Sequence, residues 1–516
     1  MKKVSLILCL IILISGCQSD DKGKDTDDSD TVLITLQGDS IDTESKSVSI
    51  KGTTATIHAA GTYEVSGNLD DGQLIIDVND NEKVNVILNS AYIHNENGAA
   101  IYVVNADETL ISILEGTENT LSDGTEYSSN TADAEPNATL FSHDDLIING
   151  SGKLTIKANY ADAIASKDDL EIEDTTLVIT AKDDGIRGKD SIVIKNADIN
   201  VTAVSDAIKA TNDTDETKGY IEIESSTFNL STSGNTDSSS KGIKATTSVE
   251  IHSGTFNIDT TDDNIHAANV IINGGTYELS SDDDGIHADN KLEINDGELS
   301  ITKSYEGIEA AELLIHGGKI NIVASDDGIN AAGGTDAESS NHPNDPFSSS
   351  SGTLTITDGT ITVDAEGDGI DVNGDAVIQG GTIIVHGPVS GGNGALDYNG
   401  SFDITGGVLI AGGSSQMAES PSESSTQLSI MMYFDSIQSG GTKVRLLSSD
   451  GDEILSTTMK KQYQSVVFSS DVIKANTSYD IYVDESKYAT IKTNGTITQS
   501  GYNRMQQEPG GGIPQR

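Results

Sequence analysis

The chain has 516 residues, with 82 acidic side chains against 30 basic ones and a formal net charge of −52. That balance speaks against nucleic acid as a partner, because binding phosphates needs clustered Lys and Arg. Tryptophan is absent and aromatic residues make up 4%, which argues against a sugar-binding face built mainly on large stacking rings.

Lys2 and Lys3 precede an apolar run from Val4 to Ile14 that is too short to span a bilayer. Ile14-Ser15-Gly16-Cys17 follows in the manner of a bacterial lipobox. Residues 1–16 therefore read as a lipoprotein signal peptide and Cys17 as the lipidated residue, giving an extracytoplasmic protein anchored to the membrane. Residues 17–31 are polar and acid-rich and read as a disordered tether. The other cysteine, Cys9, lies in the signal, so the mature domain has no disulfide.

Residues 32–413 read as an array of short strands. The early part, from Val32 to Leu121, is strand-rich but irregular, and Leu140 to Ile156 joins it to a regular repeat. The repeat shows as Asp183-Asp184-Gly185-Ile186, Asp262-Asp263-Asn264-Ile265, Asp283-Asp284-Gly285-Ile286 and Asp326-Asp327-Gly328-Ile329. Its central isoleucines stand at 164, 186, 208, 243, 265, 286, 308, 329 and 370, about one every 21–22 residues apart from two longer gaps. Between the acidic phrases lie paired alternating runs such as Val249–Ile258, Val270–Leu279, Leu292–Ile301 and Leu313–Ile322. Alternation rich in Ile and Val is a strand signal, and no helical periodicity competes with it.

Each unit thus predicts two strands in the alternating motif and a third at the isoleucine. A constant period favours an all-β stack, a parallel β-helix with one coil per repeat, over a sandwich of hairpins. The polar inserts Ser122–Asn137, Thr211–Lys218, Ser231–Ser240 and Gly333–Gly352 are expected as loops. Residues 414–496 carry longer alternating runs and read as a small C-terminal β-unit, and residues 497–516 as a disordered tail.

Stacking the units on the isoleucine aligns Asp162, Asp184, Asp206, Lys241, Asp263, Asp284, Glu306, Asp327 and Asp368 two residues before it. Bare carboxylates about 4.8 Å apart repel by ~3–4 kcal/mol at an effective dielectric of about 20. Divalent cations offset such a cost, and Ca²⁺ prefers carboxylate and carbonyl oxygens. A plainer role for any one aspartate is to bond nearby backbone in its turn. The residue after the isoleucine should face outward, and that column runs Ala165, Arg187, Lys209, Lys244, His266, His287, Glu309, Asn330, Asp371. Its basic end can neutralise Asp184 and Asp206, whereas its acidic end cannot. Glu306, Glu309, Asp326, Asp327, Asp368 and Asp371 are therefore the first candidate Ca²⁺ ligands, with Asp262, Asp263, Asp283 and Asp284 second. His266 and His287 are expected as solvated surface histidines.

The acidic phrases, Gly61-Thr62-Tyr63-Glu64-Val65-Ser66-Gly67, Glu115-Gly116-Thr117-Glu118-Asn119-Thr120-Leu121 and Gly394-Ala395-Leu396-Asp397-Tyr398-Asn399-Gly400 together resemble a bacterial family of secreted carbohydrate-binding domain proteins. The resemblance covers roughly residues 32–496. It implies a right-handed parallel β-helix, bound Ca²⁺ and binding of a plant cell-wall polysaccharide such as polygalacturonate. It also implies a fold similar to that of Ca²⁺-dependent pectate lyases. A surface lipoprotein binding acidic polysaccharide through Ca²⁺ is the leading expectation. The alternatives are a polysaccharide lyase with Lys209 or Lys244 as base, and a structural adhesin stiffened by calcium.

Overall fold

A computed structural model describes residues 31–79, 81–128, 135–234, 239–332 and 352–501. The signal peptide, Cys17, the tether through residue 30 and all but the last residue of the Gly333–Gly352 insert lie outside the described residues.

Every regular element among the described residues is a strand. Ile186–Gly188, Ser191–Lys195 and Asp198–Ala203 make one coil. They pair in parallel with Ile208–Ala210, Tyr220–Glu224 and Ser226–Thr232 of the next. Hairpins pair antiparallel, so this pattern decides for a β-helix-like solenoid. In the four coils that begin at Ile243, Ile265, Ile286 and Ile308 the first two strands run together, as in Ile265–Ile272 and Ile286–Ile294, with an irregularity in register where these two join.

The repeat isoleucines form a continuous column in register: Ile164, Ile186, Ile208, Ile243, Ile265, Ile286, Ile308, Ile329 and Ile370. All are fully buried. Each such side chain removed from water contributes roughly 1.5–3 kcal/mol, and a slip of one residue would turn the column outward. Another interior column stacks Phe228 on Phe256 on Tyr277, with ring centroids 5.0 and 4.6 Å apart and planes within 7° and 4°.

The ends depart from the parallel pattern. Near the start, Val32–Gly38 pairs antiparallel with Ile41–Asp42, and Val48–Lys51 with Thr54–Ile57. At the other end, Val408–Gly413 continues the solenoid and also pairs antiparallel with Tyr463–Ser470. A separate antiparallel sheet of Lys443–Ser448, Glu453–Thr458, Ser478–Val483 and Ser486–Lys492 completes the expected β-unit. Its core includes Phe434, Leu446, Met459, Phe468 and Ile481.

Two expectations need correction. Ile497–Ser500, expected in the tail, is a strand paired in parallel with Ser429–Met432, because its β-branched residues complete that sheet and bury Thr498. Some residues expected in loops belong to strands: Ser122 and Asp123 end Glu118–Asp123, and Ser231 and Thr232 end Ser226–Thr232.

Candidate functional site

The acids two residues before each isoleucine form a ladder between coils. Oδ1 of Asp162 accepts the backbone N–H of Asp184 at 3.1 Å, and Oδ1 of Asp184 accepts that of Asp206 at 3.1 Å. Asp206 does the same for Lys241, Asp263 for Asp284 and Asp284 for Glu306. Asp327 serves Asp368, and Asp368 serves Gly394. A buried N–H left without an acceptor costs about 1–3 kcal/mol. The expected bond to nearby backbone therefore exists, but it crosses to the next coil rather than closing the acid's own turn.

The other carboxylate oxygen faces the outward column, and what it meets changes along the stack. Arg187 lies 2.7 Å from Asp162, and Lys209 lies 3.3 Å from Asp184 and 2.8 Å from Asp206. Burial still pushes Asp162 up to about 7 and Asp184 up to about 6. At Asp206 burial acts the same way, but Lys209 and Lys244 outweigh it and hold the carboxyl below its ordinary value. The expected neutralisation at the basic end is thus present. The same ion pairs work against Lys209 as a lyase base. Burial alone would favour the neutral amine, but Asp184 and Asp206 outweigh it and raise the pKa of Lys209, whereas a base must shed its proton. Lys244 donates to Ser239 Oγ at 2.8 Å.

Lys241 breaks the acidic pattern and reaches Asp262 at 2.7 Å as well as Asp263. Asp262, Asp263 and Asp283 offer carboxylate oxygens within 4.8 Å of one another. An ammonium already occupies part of this second candidate set, and a cation there would compete with it.

His266 and His287 are not solvated. Their exposures are 8% and 3%, because the parallel register seats one ring beside the other between neighbouring coils. Nδ1 of His266 lies 2.8 Å from Asp263, and Nδ1 of His287 lies 3.2 Å from Asp284 and 3.4 Å from Glu309.

The first candidate set divides. Glu306 and Glu309 lie toward the histidines, and Glu306 accepts from Asn330 Nδ2 at 2.6 Å. Burial, then Glu309 and Asp284, pushes Glu306 up to about 9. Asp326, Asp327, Asp368 and Asp371 lie further along, joined by Asp397 in register beside Asp371. Burial followed by carboxylate neighbours pushes Asp368 and Asp371 each up to about 7, and the charged groups acting on both include Asp327 and Asp397. Burial pushes Asp327 up to about 6. A Cβ on Gly367 would stand 2.4 Å from Oδ1 of both Asp326 and Asp327, so glycine leaves those oxygens a shared hollow. Half-buried, oxygen-only and crowded with negative charge, this group fits a hard divalent cation such as Ca²⁺.

Asp397 was not among the expected ligands. Its signal was present, since Leu396-Asp397 continues the isoleucine-plus-outward-residue pattern with leucine in place of isoleucine. A hollow of about 310 Å³ near the early coils, lined by Gln73, Asn95, Asn97, Tyr102 and Tyr127, was also missed. Its amides and phenol rings suit a polar ligand.

The chain matches the family described as "Carbohydrate-binding domain-containing protein" over residues 51–307 and 269–341. A carbohydrate-binding domain-containing protein of Acetivibrio thermocellus is 33% identical over 122 residues, which is 23% of this chain and 43% of that relative. The chain therefore spans less than half the length of that curated relative. Among solved structures, the gadolinium derivative of a polysaccharide lyase-like protein from C. thermocellum aligns at 27% identity with a TM-score of 0.42, covering 51% of this chain and 96% of the other. With its matches running without a break from residue 51 to residue 341, over more than half of its length, the chain belongs to the carbohydrate-binding domain-containing protein family.

Proposed function

We propose that the protein is a non-catalytic surface lipoprotein, anchored through Cys17, whose right-handed β-helix binds an acidic polysaccharide such as polygalacturonate through Ca²⁺. The observation that carries this reading is the acid end of the row. The charged neighbours that shift Asp368 and Asp371 are other carboxylates, in a half-buried setting where their repulsion is poorly screened. Ca²⁺ accepts 6–8 oxygen ligands. An ion held by Asp327, Asp368, Asp371 and Asp397 can keep positions for uronate carboxylates and so join an acidic polymer to an acidic protein. The partial exposure of these residues leaves that side open.

The test is retention of the mature chain on polygalacturonate with Ca²⁺ or with a chelator, alongside the ultraviolet absorbance of unsaturated products. Calcium-dependent retention without product is expected. Product formation would establish a lyase instead. No retention, with a calcium-dependent rise in melting temperature, would leave a calcium-stiffened adhesin.

A further inference from the structure

We propose that the hollow lined by Gln73, Asn95, Asn97, Tyr102 and Tyr127 is a calcium-independent site for a neutral pyranose sugar, separate from the acid end of the row. The outward column that ends in Asp371 begins with Tyr102, Phe141 and Ala165, in register with Arg187 and the residues after it. The hollow therefore lies at the other end of the same column, about 50 Å from the acids at ~4.8 Å per coil. Gln73 opens the strand Gln73–Asp77, Asn95 closes Lys83–Asn95, and Tyr102 lies in Ile101–Asn105. Rigid elements, not a free loop, thus carry these three side chains.

Gln73 Nε2 and Asn95 Nδ2 both donate to the carbonyl of Ala99, at 2.8 and 2.7 Å. Asn95 Oδ1 also accepts the backbone N–H of Asn97 at 3.1 Å. A side-chain amide has two N–H donors and two acceptor lone pairs, so both groups are held in place with capacity left for hydroxyls. Gly98 makes the room, since a Cβ there would stand 3.2 Å from Asn95 Nδ2. The phenol rings are braced as well. Tyr102 meets Phe141 edge-on with centroids 5.8 Å apart, and its hydroxyl lies 3.1 Å from His143 Nε2. Tyr127 stacks on Tyr160 at 4.1 Å and donates to Asp123 at 2.7 Å. Adjacent hydroxyls of a pyranose can pair with amides while its C–H face covers a ring, and side chains ordered in advance lower the cost of binding. The volume of about 310 Å³ falls at the small end of the range for ligand pockets. Among the described residues no charged side chain lines the hollow, so the carboxylate of a uronate would leave water with no cation to meet.

The test titrates neutral tetrasaccharides of glucose, galactose, mannose or xylose into the mature chain by calorimetry, with a chelator present throughout. Binding of at least one of them at millimolar concentration or below is expected, and tetragalacturonate should not bind under the same conditions. Gln73→Ala and Asn97→Ala should each weaken binding by about fivefold or more, and Gly98→Leu, which fills the hollow, should abolish it. Asp371→Asn should leave it unchanged. Calcium-dependent retention on polygalacturonate is scored separately and should be indifferent to Asn97→Ala, so either reading can fail without the other. Absence of binding by all four neutral tetrasaccharides, equal binding of tetragalacturonate under the chelator, or full binding by a folded Gln73→Ala/Asn97→Ala variant would each overturn the proposal.

Discussion

Oδ1 of Asp184 accepts the backbone N–H of Asp206 at 3.1 Å, while Oδ2 of the same carboxylate lies 3.3 Å from Lys209. One side chain therefore joins consecutive coils and takes part in the charge pattern of the outer column. Asp184→Ala should cost roughly 1–3 kcal/mol, the penalty of a buried unsatisfied donor. Asp184→Asn should cost less, because its amide oxygen can still accept from Asp206. Urea unfolding measures both, and equal losses would show that the ladder bond contributes nothing.

Lys209 holds two buried carboxylates, so Lys209→Met should destabilise the chain by about 3–5 kcal/mol. Asp184→Asn in the same chain should recover part of that loss, since it removes one of the stranded charges. A double-mutant cycle measures the coupling. Strictly additive losses would contradict the ion-pair geometry.

Stability should depend on pH in a direction set by the acid end. Glu306 is pushed up to about 9 and Asp368 and Asp371 to about 7, against ordinary values of 4.5 and 3.8. The folded chain then keeps protons that the unfolded chain has released, and stability falls as pH rises between the unfolded and folded values. Without divalent cations, the melting temperature should decline from about pH 5 to about pH 9. The increment from added Ca²⁺ should grow over the same range, because the ion binds the ionised form. A metal-free melting temperature that rises across this range would refute the assignment.

Gly367 bears on the calcium reading directly. Its Cβ in Gly367→Ala would meet Oδ1 of Asp326 and of Asp327 at 2.4 Å, so the two carboxylates could not keep their shared hollow. Calcium affinity, measured by calorimetry, should fall about tenfold or more, equivalent to ~1.4 kcal/mol. Unchanged affinity would place the ion elsewhere.

Ending the chain after Gly413 should expose the edge of Val408–Gly413 that now pairs with Tyr463–Ser470. An unpaired edge recruits other strands, so the shortened chain should self-associate in size-exclusion chromatography. A stable monomer would show that the β-unit is not needed as a cap.

The stack and its register were legible in the sequence, because a β-helix requires each coil to return its isoleucine to the same interior column. Ile164 through Ile370 pair as their spacing requires, and Lys209 meets Asp184 and Asp206 as the alignment expects, while Arg187 reaches back one coil to Asp162. The placement of Asp397 was harder to read, since leucine replaces isoleucine in its coil. The burial of His266 and His287 was not legible either, because it depends on one ring lying beside the other across neighbouring coils.

The sequence by itself determined the unit, its period and the sign of charge along the row, since these follow from which side chains must leave water at regular intervals. Only the tertiary structure decided what each carboxylate does. An aspartate some 22 residues from its partner along the chain bonds that partner's backbone only when the coils stack, and the distances between columns then decide which acids find a lysine, which a histidine and which only one another.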